Sequence, residues 1–162
     1  AGLKSVLFIA PMSDDGCRLL DQSCIIYDGH QTQPTIEGTK FYEHNGYYYI
    51  FLLLPLPYRR FAHYIFRTKD FRQLEVGLHN PILMPSNEDR GISENGKRVY
   101  RTEDAERLLH GLCCNNCDID MCEYQGKTYI NYLTGNQLGT AGYMCEAVCN
   151  MPIGDFLEAY FQ

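Results

Sequence analysis

No run of Lys and Arg long enough to neutralise a row of phosphates occurs in this sequence. Acidic residues outnumber basic ones, 20 Asp and Glu against 14 Lys and Arg, for a formal charge of -6. Nucleic acid and anionic membrane surfaces are therefore not expected as partners. The longest apolar run, residues 47–56, contains Pro55 and falls far short of the ~20 residues that a membrane helix needs. Residues 1–10 lack the length and cleavage pattern of a secretory signal. There is no Gly-rich phosphate loop, no Gly-x-Ser-x-Gly elbow and no Cys beside an activating His, so nucleotide binding and acyl-enzyme chemistry have no support. Low-complexity and collagen-like sequence are also missing.

What remains is an ordinary globular composition, 45% hydrophobic and 13% aromatic, in 162 residues, enough for one domain with an apolar core. The eight cysteines are too few for a disulfide scaffold in a chain this apolar. Cys114-x-x-Cys117, then Cys122, with His110 nearby, has the residue types of tetrahedral zinc. A second well-spaced pair is missing, and Cys122 alternates with Asp120 and Tyr124 at the period of a strand. Reduced thiols, no metal and no cofactor are the expectation.

Aromatic and β-branched residues cluster in short runs broken by Gly, Asn, Asp and Pro, the pattern of a strand-rich chain. Strands are predicted over 4–10, 23–27, 39–44, 47–53, 62–67, 119–124, 127–133 and 142–149. His44-Asn45-Gly46 and Tyr124-Gln125-Gly126 put glycine at tight reversals between apolar runs. The two hairpins align: Glu43 with Glu123, Gly46 with Gly126, Tyr49 with Tyr129, Ile50 with Ile130. Such a repeat of antiparallel sheets favours propeller blades over a single sandwich. Two short helices are predicted, one opening at Thr102 and running to about 110, the other over 153–160.

The segments Ser13-Asp14-Asp15-Gly16-Cys17-Arg18-Leu19-Leu20, Ile25-Ile26-Tyr27-Asp28-Gly29, Pro34-Thr35-Ile36-Glu37-Gly38-Thr39-Lys40-Phe41-Tyr42 and Asn45-Gly46-Tyr47-Tyr48-Tyr49-Ile50-Phe51 resemble the middle of glycoside hydrolase family 43. That family is built on a five-bladed β-propeller. Residues 118–161 are more loosely similar to the closing blade of related propeller glycosidases. The resemblance implies an all-β, incomplete five-bladed propeller: a blade remnant at 1–30, a blade at 35–80, an insertion at 81–116 and a blade at 117–162. It also implies inverting acid/base hydrolysis of arabinose- or xylose-type glycans. The alternative is a carbohydrate-binding or structural propeller fragment without chemistry.

In the family, the Glu before this hairpin is the general acid, which maps onto Glu37. An inverting enzyme also needs a carboxylate about 6.5–9.5 Å away to activate water. The family's base and its pKa-tuning Asp lie in earlier blades, and neither has a counterpart here. Asp118, opening the second hairpin, is the candidate partner carboxylate. His30, Asn116 and Tyr48 are candidate sugar contacts, Tyr48 by stacking. Because this chain supplies about two and a half blades where five need well over ~200 residues, completion by self-association or by upstream blades is expected.

Overall fold

A computed structural model describes residues 6–21, 24–28, 37–56, 60–84, 101–103, 115–135 and 142–162. The chain is mostly strand. β1 (Val6–Ile9) and β2 (Cys24–Asp28) form a two-stranded antiparallel sheet. β3 (Glu37–His44), β4 (Tyr47–Leu56), β5 (Arg60–Thr68), β7 (Asn115–Tyr124), β8 (Lys127–Gly135) and β9 (Gly142–Cys149) follow one another in a larger sheet, with β6 (Glu75–Val76) also paired to β5. Among the described residues a single parallel bridge, Phe61 to Asn115, joins β5 to β7, and the other strand pairings are antiparallel.

Beside the β1–β2 pair, the described backbone therefore forms one open mixed sheet, where separate four-stranded blades were expected. The first unit, β3 to β6, does have four strands; among the described residues the second, β7 to β9, has three. A helix, α1 (Ile153–Glu158), continues as a 3-10 turn over Ala159–Phe161, matching the second predicted helix. The helix predicted over 102–110 lies almost wholly outside the described residues.

The sequence repeat is written into the backbone. Asn45 and Gly46 (φ 51° and 75°) and Gln125 and Gly126 (φ 52° and 70°) make the same left-handed pair of hairpin residues. Each first strand also carries a bulge, between Glu37 and Lys40 and between Cys117 and Asp120. Each bulge holds one left-handed residue, Gly38 (φ 57°) or Asp118 (φ 54°). The third strands run one residue out of step, since Tyr49 pairs with Arg67 but Tyr129 with Val148. A Cβ on Gly46 would meet nothing within 4 Å, so only backbone strain opposes a side chain there. Gly46→Ala should cost about 1 kcal/mol in chemical denaturation, and an unchanged midpoint would show that the turn is not held in this conformation.

Strand alternation gives β4 and β5 two apolar faces. Tyr49, Phe51 and Ile65 face Ile119, Met121, Ile130 and Leu157. On the opposite face, Ile50, Leu52, Leu54 and Phe66 take up Leu7 of β1. β1 and β7–β8 thus pack as layers against opposite faces of β4–β5. Burying side chains of this kind contributes about 1.5–3 kcal/mol each.

The C-terminal segment ties the layers together. The Tyr49 hydroxyl donates to Glu158 Oε1, while Arg67 donates to Glu158 (2.9 Å) and forms a two-pronged pair with Glu75 (2.7 and 2.9 Å). The Arg67 guanidinium also lies over the rings of Tyr47 and Phe161, 4.4 and 4.3 Å from their centroids. Gly154 is required because a Cβ there would run into the ring of His44.

Candidate functional site

Glu37 opens β3 as an exposed residue opposite Leu53 of β4. The following Gly38, with its positive φ, turns the strand at the bulge. From the position a Gly38 Cβ would occupy, Asp118 Oδ1, His63 Cε1 and Leu53 Cβ each lie 3.7 Å away. That is ordinary contact, so the left-handed φ and not lack of room selects glycine here. Asp118 is exposed and adopts the left-handed conformation that Asp tolerates better than most residues. Matching bulges in the two repeats thus bring Glu37, Gly38 and Asp118 to one edge.

His63, on β5, lies beside this edge and was passed over by sequence reasoning. Its side chain is fully buried, and its Nε2 accepts a hydrogen bond from the Ile119 amide (3.2 Å). The neutral ring then carries its proton on Nδ1, which has no hydrogen-bond partner among the described residues. Burial pushes the His63 pKa down to about 4, against the opposing pull of the Asp118 charge. The one available signal was a histidine inside an otherwise apolar strand, a pattern that core histidines share.

Cys117, beside Asp118, is buried, and its thiol is pushed up to about 12 by burial first and then by the negative charge of Asp118. Asn115 Nδ2 donates to its sulfur (3.5 Å), a smaller effect in the other direction. A thiol held this high is a poor nucleophile. Among the described residues, no group of three His, Cys, Asp or Glu side chains is arranged to hold a metal ion. Cys113, Cys114 and His110 lie outside them.

The other predicted contacts are not all brought together. Asn116 is buried, donates from Nδ2 to the Met84 carbonyl (2.6 Å), and has an Oδ1 without a partner among the described residues. Tyr48 pairs with Glu43 and Thr68, five positions along β4 from Leu53, or roughly 17 Å at strand spacing. There it lies against Phe71 (centroids 4.6 Å apart), well away from Glu37. His30 is outside the described residues. Where β3 and β7 approach each other, Tyr42 donates to Asp120 Oδ1 (2.8 Å) and accepts from the Met121 amide (2.8 Å), and Lys40 reaches Asp120 (3.4 Å). These contacts hold the two bulges side by side.

No family model matches the sequence, and no curated protein matches it. Solved structures do. The crystal structure of the GH43 BlXynB protein from Bacillus licheniformis aligns with 91% of this chain at a TM-score of 0.61 and 16% identity. The structure of a xylan beta-1,4-xylosidase from Bacillus halodurans C-125 aligns with 86% of it at a TM-score of 0.49 and 18% identity. This chain spans 26% of the first and 24% of the second, about a quarter of either. At such identity the likeness is one of fold: the chain shares the fold of a segment of a GH43 protein.

Proposed function

We propose that this chain is part of a glycoside hydrolase-like β-propeller acting on arabinose- or xylose-type glycans. The observation that supports this most is the approach of Asp118 to Gly38, the residue after Glu37, at two equivalent left-handed bulges, on a fold shared with a GH43 protein. Cleaving a glycosidic bond by inversion takes one carboxyl group that protonates the leaving oxygen and one carboxylate that activates water. Glu37 is the proton donor in this reading and Asp118 the second carboxylate. Hydrolysis of aryl glycosides and arabino-xylo-oligosaccharides by the purified chain tests it, and no turnover on the whole panel would count against it.

A second reading, a carbohydrate-binding segment without catalysis, draws on a different observation. Glu37 and Asp118 both stand exposed to solvent. A cleft of about 290 Å³ lies at the far, hairpin end, against Tyr47, Lys69, Asp70 and Gln73. Calorimetric binding of the oligosaccharides without turnover would select this reading.

A further inference from the structure

The two bulges are alike in shape but not in the residue that turns them. In the first, Glu37 pairs with Leu53 and Lys40 with Phe51, so Gly38 and Thr39 lie opposite Leu52 alone. In the second, Cys117 pairs with Leu133 and Asp120 with Asn131, so Asp118 and Ile119 lie opposite Tyr132 alone. Each bulge takes its left-handed residue at the same step, Gly38 (φ 57°) or Asp118 (φ 54°). Glycine adopts this conformation without steric penalty, whereas a residue with a Cβ is strained by it. The second bulge therefore calls for a support that glycine makes unnecessary in the first.

His63 provides that support. The Ile119 amide, taken out of the regular β7–β8 pairing and next in the chain after Asp118, donates to His63 Nε2 (3.2 Å). Ile119 is 1% exposed and His63 fully buried, so water cannot replace the bond. His63 is itself firmly anchored. It pairs with Leu53 on one side, and on the other its amide donates to the Leu83 carbonyl (3.2 Å) and its carbonyl accepts from the Ile82 amide (2.9 Å). The ring thus ties the peptide link between Asp118 and Ile119 to β5. Because a bulge re-aims the side chain it carries, whatever fixes this one also fixes where the Asp118 carboxylate is presented.

We propose that His63 is a positioning residue, whose bond to the Ile119 amide locks the left-handed bulge and so sets the Asp118 carboxylate at the edge beside Gly38. Its part in a reaction rests on the reading of Asp118 as the second carboxylate, whereas the lock itself does not. His63 touches no reacting atom in this role. It acts through the backbone of β7, and the atom that matters is the acceptor Nε2, not the bulk of the ring.

Two substitutions separate the acceptor from the bulk. In His63→Gln an amide oxygen comes near the place of Nε2 and accepts from Ile119, whereas in His63→Leu the side chain fills space and accepts nothing. Amide hydrogen exchange and NMR shifts of residues 117–120 read the lock without any substrate. The Ile119 amide should exchange about tenfold faster or more in His63→Leu, the scale of one lost hydrogen bond, and the Asp118 shifts should move towards extended values. In His63→Gln both should stay near the parent. Should His63→Leu fail to fold, His63→Asn, whose side chain is too short to reach the amide, takes its place. On the oligosaccharide panel, kcat should fall about tenfold or more in the variant without the acceptor, as expected for a displaced reacting group, with KM little changed and with recovery in His63→Gln. An Ile119 amide that exchanges at the parent rate without the acceptor, or that is released equally by Gln and Leu, would overturn the lock. Release of the bulge with kcat unchanged would overturn the positioning role. A parent chain without turnover would count against the glycosidase reading and leave the lock to be decided by exchange alone.

Discussion

Glu37→Gln is expected to reduce turnover of substrates with poor leaving groups by a factor on the order of 10² or more, while leaving the melting temperature nearly unchanged. Gln keeps the shape and most of the hydrogen-bonding capacity of Glu but cannot give up a proton. Glu37 is exposed at the start of β3, so folding does not depend on its carboxyl group. Substrates whose leaving group departs without protonation should suffer much less. This difference separates loss of an acid from loss of binding, which would slow both kinds alike. Equal hydrolysis of both by an active Glu37→Gln protein would mean that the family position is present here without its role, and the binding reading would then be preferred.

Acidification should destabilise the fold by on the order of 3 kcal/mol through His63 alone. In the unfolded chain the imidazole takes up its proton near pH 6.5, whereas in the folded protein it stays neutral down to about 4. Between those values the unfolded state binds the extra proton, so stability falls as pH is lowered from about 6.5 to about 4 and is insensitive to this group above that window. The cause is burial: a charged ring would sit fully enclosed with its Nε2 facing the Ile119 amide. Urea denaturation of the parent and of His63→Gln across this range checks it. The variant should lose the part of the slope that belongs to the histidine, and parallel curves would contradict the assignment.

The parts of the fold that were legible in the sequence are those with local chemistry. Asn45-Gly46 and Gln125-Gly126 announce their hairpins because few residue pairs tolerate two left-handed conformations in succession. The alternation of Tyr49, Phe51 and Leu53 with Ile50, Leu52 and Leu54 marks a strand covered on both faces, which is how β4 lies. The two-residue β6 was missed, since Glu75 and Val76 form a strand only because β5 lies beside them. The parallel bridge from Phe61 to Asn115 was equally hidden: it joins residues far apart in sequence and leaves no local pattern.

The candidate site divides in the same way. Glu37 and Asp118 could be singled out because each precedes a recognisable hairpin. That Asp118 meets Gly38 depends on bulges whose left-handed residues differ, a glycine in one repeat and an aspartate in the other. His63 reaches the site from a third strand, by packing that only the assembled sheet defines. Tyr48, a candidate sugar contact by residue type, is carried to the hairpin end by the register of β4, a placement that no local pattern announces.

A crystal structure with a xylo- or arabino-oligosaccharide bound tests the central claim most directly. The sugar is predicted at the edge where Gly38 meets Asp118, with the Glu37 carboxyl group in hydrogen-bond reach of a glycosidic oxygen. A sugar bound only at the hairpin end, beside Tyr47 or Tyr48, would contradict it.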